Sequence, residues 1–195
     1  MEVLVARTRS DADRALDMLG KASVVGCDTE TTGLHPSKGR LLSIQFSDGE
    51  TNVLVPVSEG ADARHFEPVL SDAAVTKIFH NAKFDLGFLS AHGLLTQGVY
   101  DSMIAERVLT KGANQSIALA ETLYRYFGVD LDKSKRNRFG RGWNGAWTDD
   151  LVEYAMNDVV FLPRLMKEQS DWLRRLGLED EYAAVLETVI APYQR

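Results

Sequence analysis

The chain has little of what several broad protein classes require. One cysteine in 195 residues, Cys27, excludes an internal disulfide, and its place in an apolar run suits a small buried side chain. No apolar stretch approaches the roughly 20 residues that cross a bilayer. Glu2, Asp11 and Asp13 stand where a signal or transit peptide avoids acids. These absences lead us to expect a soluble, intracellular (cytoplasmic) protein with no membrane attachment. Repeats and low-complexity tracts are missing too. Positive charge is scarce: the formal charge of -6 argues, taken alone, against a protein that grips nucleic acid by general electrostatics. His35, His65 and His92 carry no zinc-ligand spacing.

What is present is enough apolar residue, 45% of the chain, for one compact domain covering residues 1–195. Ser10 is a plausible N-cap for a helix through Ala15, Leu16 and Leu19 that stops at Gly20. Ala22 to Glu30 reads as a strand that is apolar until its acidic end. Leu41 to Ser47 and Thr51 to Val57 flank the turn signal Asp48-Gly49 and read as a hairpin. A helix near 63–70, a buried strand from Val75 to Phe79 and a helix over 82–92 follow, then helical stretches near 102–110 and 116–127. From Asp130 to Trp147 the apolar periodicity disappears, which predicts a loop or flap. Thr148 then opens a helix with Leu151, Ala155, Val159 and Leu162 as its apolar stripe, which Pro163 should kink or restart. The tail from Leu178 reads as a last helix. Strand, hairpin and then alternating helices and strands predict an α/β fold with a mixed sheet and helices on both faces.

Asp28 and Glu30 lie two apart at the end of an apolar strand, so alternation sends both carboxylates to one side. Close like charges of this kind need a cation. Asp85 falls where a strand passes into a helix, and Tyr154 and Asp158, four apart, share a helix face. Each feature alone has a bland explanation: a solvated strand end, a first-turn acid facing a helix dipole, a half-buried tyrosine beside a surface acid. Together they supply four carboxylates and a phenol. A set of Asp and Glu with no His or Cys suits a hard cation such as magnesium.

The segments Asp28-Thr29-Glu30-Thr31-Thr32-Gly33-Leu34, His80-Asn81-Ala82-Lys83-Phe84-Asp85 and Tyr154-Ala155-Met156-Asn157-Asp158 resemble the three motifs of the DEDD exonuclease superfamily, in its tyrosine branch. Within it the chain most resembles the proofreading domain of family A DNA polymerases, with ribonuclease D and Werner-type exonucleases next. The resemblance implies a ribonuclease H-like fold with a five-stranded mixed sheet. It also implies a 3′-to-5′ exonuclease acting on single-stranded or frayed DNA and releasing nucleoside 5′-monophosphates through two Mg²⁺ ions, with Mn²⁺ able to substitute. By that resemblance Asp28 bridges both ions, Glu30 and Asp158 complete the nucleophile's site, Asp85 holds the second ion and Tyr154 orients the attacking water. Thr31 and Leu34 match positions that touch the terminal nucleotide, Asn81 and Lys83 lie near sugar and phosphates, and Thr29, His80 and Phe84 are expected neighbours. An RNA-trimming enzyme of the ribonuclease D kind shares the same catalytic set and stays open, as does a role beside a polymerase. A catalytically silent binding module usually lacks one of these ligands. Lys133, Lys135, Arg136, Arg138 and Arg141, interleaved with Phe139, Trp143 and Trp147, resemble a stacking and electrostatic platform for single strands.

Overall fold

A computed structural model describes residues 1–131 and 143–194. At its centre lies a mixed sheet built from β1 (Leu4–Val5), β2 (Val24–Thr31), β3 (Leu41–Ser47), β4 (Asn52–Val55), β5 (Thr76–Phe79) and β6 (Val99–Asp101). Their spatial order is β1-β4-β3-β2-β5-β6. β2, β3 and β4 run antiparallel, joined at β3 and β4 by the expected turn, in which Asp48 Oδ1 accepts from the amides of Glu50 and Thr51. β1 lies parallel to β4, and β5 and β6 extend the sheet in parallel beyond β2. Six strands stand where five were expected: the two-residue edge strand β1 pairs Leu4 with Val53 and Val5 with Leu54. The three-residue β6 was likewise not identified from sequence, since neither run is long enough to express a period of two.

Helices α1 (Arg9–Leu19), α2 (Glu67–Ser71) and α3 (Ala82–Ala91) cover one face of the sheet. Their side chains Ala15, Leu19, Leu70, Phe88 and Leu89 join Val25, Cys27, Ile44 and Phe46 in one buried cluster. On the other face, α4 (Ser102–Thr110), α5 (Leu119–Phe127), α6 (Asp149–Met156), α7 (Leu162–Leu176) and α8 (Glu179–Ile190) enclose a second cluster with Leu42, Leu54 and Ile78. This is the layered α/β arrangement of a ribonuclease H-like fold. Among the described residues no helix is long and apolar enough to cross a membrane.

Two helix ends differ from the sequence reading. The N-cap of α1 is Thr8, not Ser10, because Thr8 closes a reciprocal capping box: its hydroxyl accepts from Asp11 N at 3.1 Å and its own amide donates to Asp11 Oδ2 at 2.9 Å. The helix opened at Thr148 ends at Met156, and residues 157–161 form turns before α7 begins with Pro163 in its first turn. In an unbroken helix the Pro163 ring would clash with the carbonyl of Val159. That carbonyl instead lies over β2 at Gly26, where an added Cβ would sit 2.5 Å from Val159 O and 3.0 Å from Leu162 Cβ. Gly26 shares its face of β2 with Asp28 and Glu30, so its bare Cα lets the turn carrying Asp158 lie down beside them.

Gly26→Ala is expected to lower the urea midpoint by an amount equivalent to about 1–3 kcal/mol, because backbone rather than a flexible side chain must give way. An unchanged midpoint would mean that the 157–161 turn is not seated by this contact.

Candidate active site

β2 changes character halfway along. It pairs with β5 only from Val24 to Gly26, whereas its antiparallel pairing with β3 continues to Thr31. Beyond Gly26 the strand therefore has an open lateral edge, and its backbone donors on that side need other partners. Asp85 supplies one: its Oδ1 accepts from Thr29 N at 2.9 Å and from Thr29 Oγ1 at 2.7 Å.

The local fold aims Asp85 at that edge. α3 is entered through Asn81 in the left-handed region, φ 80°, a conformation that asparagine tolerates better than most residues. The amides of Asn81 and Ala82 donate to the Asp101 carboxylate at 3.2 and 2.8 Å, and Met103 N and Ile104 N donate to its Oδ1 at 2.9 and 3.1 Å. One buried carboxylate thus caps two helices at once. Asp85 follows within the first turn of α3 and is 1% exposed. Burial pushes its carboxyl up to about 7, against the lowering effect of the two Thr29 bonds, and nearby Asp101 adds to the rise. Asp101 is raised as well, again chiefly by burial.

Asp28, Glu30 and Asp158, all half-buried, each offer a carboxylate oxygen within 4.8 Å of the others. Asp28 and Glu30 reach this point by strand alternation, Asp158 by the turn over Gly26. Three hard oxygen donors with no His or Cys could coordinate a divalent metal. Asp85, expected as the fourth ligand, is not among these three; it stands at the β2 edge with Oδ1 held by Thr29. Tyr154 is buried in the last turn of α6, within the cluster on the α6 and α7 face. Asp158 lies beyond the end of that helix rather than on its face.

The other expected residues have mixed fates. Leu34 is 76% exposed, and Asn81 and Lys83 are exposed. The Thr31 hydroxyl donates to Gly33 O at 2.8 Å, while that of Thr29 is taken by Asp85. Phe84 is half-buried with its ring 5.2 Å from that of Phe88. His80 is turned into the protein: Nδ1 lies 2.9 Å from Ser102 Oγ and Nε2 3.0 Å from Ile117 O. Lys133, Lys135, Arg136, Arg138, Phe139 and Arg141 lie outside the described residues. Three positioning features escaped the sequence reading. Gly26 was detectable as an isolated glycine inside an apolar strand, a pattern that marks close backbone approach. Asp101 stood out in the sequence only within Asp101-Ser102-Met103 ahead of a helix, part of the resemblance, with no role for its side chain. Gln45 and Ser43, fully buried on β3 opposite Asp28 and Glu30, gave none.

The 3′-5′ exonuclease family matches the chain over residues 4–171. Ribonuclease D of Bartonella henselae is 28% identical over 96% of this chain and 46% of its own length. DNA polymerase I of Aquifex aeolicus is 27% identical over 85% of this chain and 27% of its own. The chain therefore spans about half or less of these two relatives. The tie to ribonuclease D runs over more of the chain, which corrects the expected order of resemblance. Among solved structures, Brucella melitensis NrnC superposes with a TM-score of 0.81 at 28% identity, covering 92% of this chain and 87% of that one. That protein has also been solved with Mg²⁺ and with pGG bound.

A carboxyl raised in the fold holds its proton more tightly there than in the unfolded chain. Stability is then greatest below the ordinary carboxylate range, falls as pH rises towards 7, and levels off above it. Asp85→Asn keeps an oxygen for Thr29 and loses the charge. In EDTA the variant is expected to gain on the wild type between about pH 5 and about pH 7, by up to about 1.4 kcal/mol per pH unit. Denaturant midpoints across that range measure it, and parallel profiles for the two proteins would contradict the raised carboxyl.

Proposed function

The chain belongs to the 3′-5′ exonuclease family, and on that premise we propose that it trims single-stranded RNA from its 3′ end with two bound Mg²⁺ ions. The meeting of Asp28, Glu30 and Asp158 within 4.8 Å is the observation that carries a metal-dependent hydrolase. RNA is favoured over DNA by the relation to ribonuclease D, and short strands by the near full-length likeness to NrnC, solved with Mg²⁺ and with pGG. The match to DNA polymerase I supports DNA as the second reading.

In this proposal Asp28, Glu30 and Asp158, with Asp85 as the fourth acid, would hold the ions. Bound there, the cations supply Lewis acidity at the scissile phosphate and lower the pKa of the attacking water. Tyr154 orients that water in line with the bond to be cut. As the water oxygen bonds to phosphorus, the bond to the 3′ oxygen of the preceding nucleotide breaks; that oxygen takes a proton and the terminal nucleoside 5′-monophosphate leaves. Leu34 and Thr31 position the terminal nucleotide, while Asn81 and Lys83 approach its sugar and phosphate. Thr29 holds Asp85 in place rather than touching substrate, and Phe84 packs against Phe88 one turn on along α3. His80, with both ring nitrogens engaged inside the protein, supports the turn into α3 instead of binding the strand. Residues 1–195 then act as one exonuclease domain.

The test is a 5′-labelled single strand, as RNA and as DNA, incubated with Mg²⁺ or with EDTA. We expect a ladder shortening from the 3′ end in Mg²⁺ only, faster on RNA. Asp28→Ala and Asp158→Ala are each expected to lose at least about a thousandfold in kcat, near 4 kcal/mol of barrier. Faster cutting of DNA would favour the second reading, and an intact strand of both kinds with a folded protein would sink the enzyme.

A further inference from the structure

β3 brings two polar side chains to the acid cluster that the mechanism above leaves unused. Its register sets Gln45 opposite Asp28 and Ser43 opposite Glu30. Directly opposed residues share a face of the sheet, with Cβ atoms about 4.5–5.5 Å apart, so both stand on the face of the acids. Both are fully buried. We propose that Gln45 is a positioning residue for the metal site: tethered by Ser43, its carboxamide donates an N–H to the Asp28 carboxylate and holds it ready for a divalent cation. The inference rests on the metal-dependent exonuclease reading above and extends it from the acids that hold the ion to the residue that aims one of them.

Burial sets the requirement. A carboxamide removed from water needs a hydrogen-bond partner at each end. One end of Gln45 meets Ser43, with Nε2 and Oγ 2.6 Å apart. The other end, Oε1, is buried with no partner among the described residues. A separation of 2.6 Å is short for N–H···O and ordinary for O–H···O. A half-turn of the amide exchanges its two ends without moving anything else. In that orientation Ser43 donates its hydroxyl proton to Oε1, and the NH2 group takes the place that lacked a partner.

The neighbours decide what this NH2 meets. Along β3 on the same face, Ser43 is engaged with the first end. The Ser47 hydroxyl donates to Asn52 Oδ1 at 2.8 Å and accepts from Gly49 N at 3.1 Å. On the β4 side of Gln45 stands Leu54, fully buried in the core. α6 packs over β3 and β4, and its buried residues are Leu151, Val152, Ala155 and Met156 beside Tyr154. Among the sheet neighbours this leaves the Asp28 carboxylate, which can accept about four hydrogen bonds. A carbonyl oxygen turned towards Asp28 would add to the repulsion within the cluster, whereas an N–H favours the ionised form that a metal requires.

The experiment titrates Mn²⁺ calorimetrically into metal-free protein with no nucleic acid present. Gln45→Leu is expected to weaken binding about ten- to a hundredfold, the usual loss when a hydrogen bond behind a metal ligand is removed. Ser43→Ala frees the amide to turn and should weaken it about threefold, whereas Ser43→Thr keeps the hydroxyl and should restore wild-type affinity. The Mg²⁺ concentration for half-maximal strand shortening should rise by the same factors. A Gln45→Leu protein with a lowered urea midpoint and wild-type Mn²⁺ affinity would assign the side chain to the core alone and overturn the proposal. Should that variant not fold, nuclear magnetic resonance of the ¹⁵N-labelled protein decides. The Gln45 NH2 signals should shift in Asp28→Asn and stay in place in Tyr154→Phe, and the reverse pattern overturns the assignment. If the wild type binds Mn²⁺ but shortens neither RNA nor DNA, the exonuclease reading fails while the Gln45 comparison still decides the role of the amide.

Discussion

Mutual repulsion among Asp28, Glu30 and Asp158 is the constraint around which the site is built. Two unit charges about 4 Å apart repel by about 4 kcal/mol at an effective dielectric of about 20, and these three carboxylates come within 4.8 Å of one another. The fold must hold them there before any cation arrives. Asp28 and Glu30 are fixed by the β2–β3 ladder, whose register holds from Gly26 to Glu30 and shifts only between Glu30 and Thr31. Asp158 is fixed by its neighbours: Val159 and Leu162 are buried in the core on that face, and the Val159 carbonyl lies where a side chain on Gly26 would have been. Apolar burial beside a glycine contributes to holding Asp158 against that repulsion, and a bound divalent cation would reverse its sign.

The second acid system follows from the unequal pairing of β2. Because β5 leaves the strand at Gly26, the Thr29 amide needs an acceptor that a sheet neighbour would otherwise provide. Asp85 becomes that acceptor, and Asp101 fixes where α3 starts by collecting amide donors from the first residues of both α3 and α4. α8 joins the same network, since the Asp101 amide donates to the Tyr182 hydroxyl at 2.9 Å. Hydrogen bonds at two buried carboxylates thus tie α8 and α4 to the start of α3, and the first turn of α3 to the strand that carries Asp28 and Glu30. These bonds sit in low dielectric, where a lost partner is costly.

Sequence periodicity sufficed for the long elements. The hairpin, α3, α4 and α8 are close to their expected bounds because alternation, spacing and turn residues agree there. What it missed depended on tertiary geometry. β1 and β6 are too short to show a period. Thr8 outranks Ser10 as a cap only because the Asp11 side chain closes back on it. Asp158 leaves the helix because Pro163 and Gly26 act on Val159 from two distant parts of the chain. The acids were legible as a set. Their division into a cluster of three and a fourth held by Thr29 was not, because the place where β5 parts from β2 carries no local signature.

Charge also has a layout that the net value hides. The chain carries -6 overall, yet the loop that follows the acidic end of β2 contributes His35, Lys38 and Arg40 to one cavity with no acid among them. Acids and cations are therefore arranged in series along one stretch of backbone, from Asp28 to Arg40. Without a cation at the acidic end, this stretch repels a negatively charged group near Asp28 and Glu30 and attracts one near Lys38 and Arg40. A divalent cation held by the acids would make both ends attractive. An anionic ligand lying along that path would then raise metal affinity as much as the metal raises its own, by linkage.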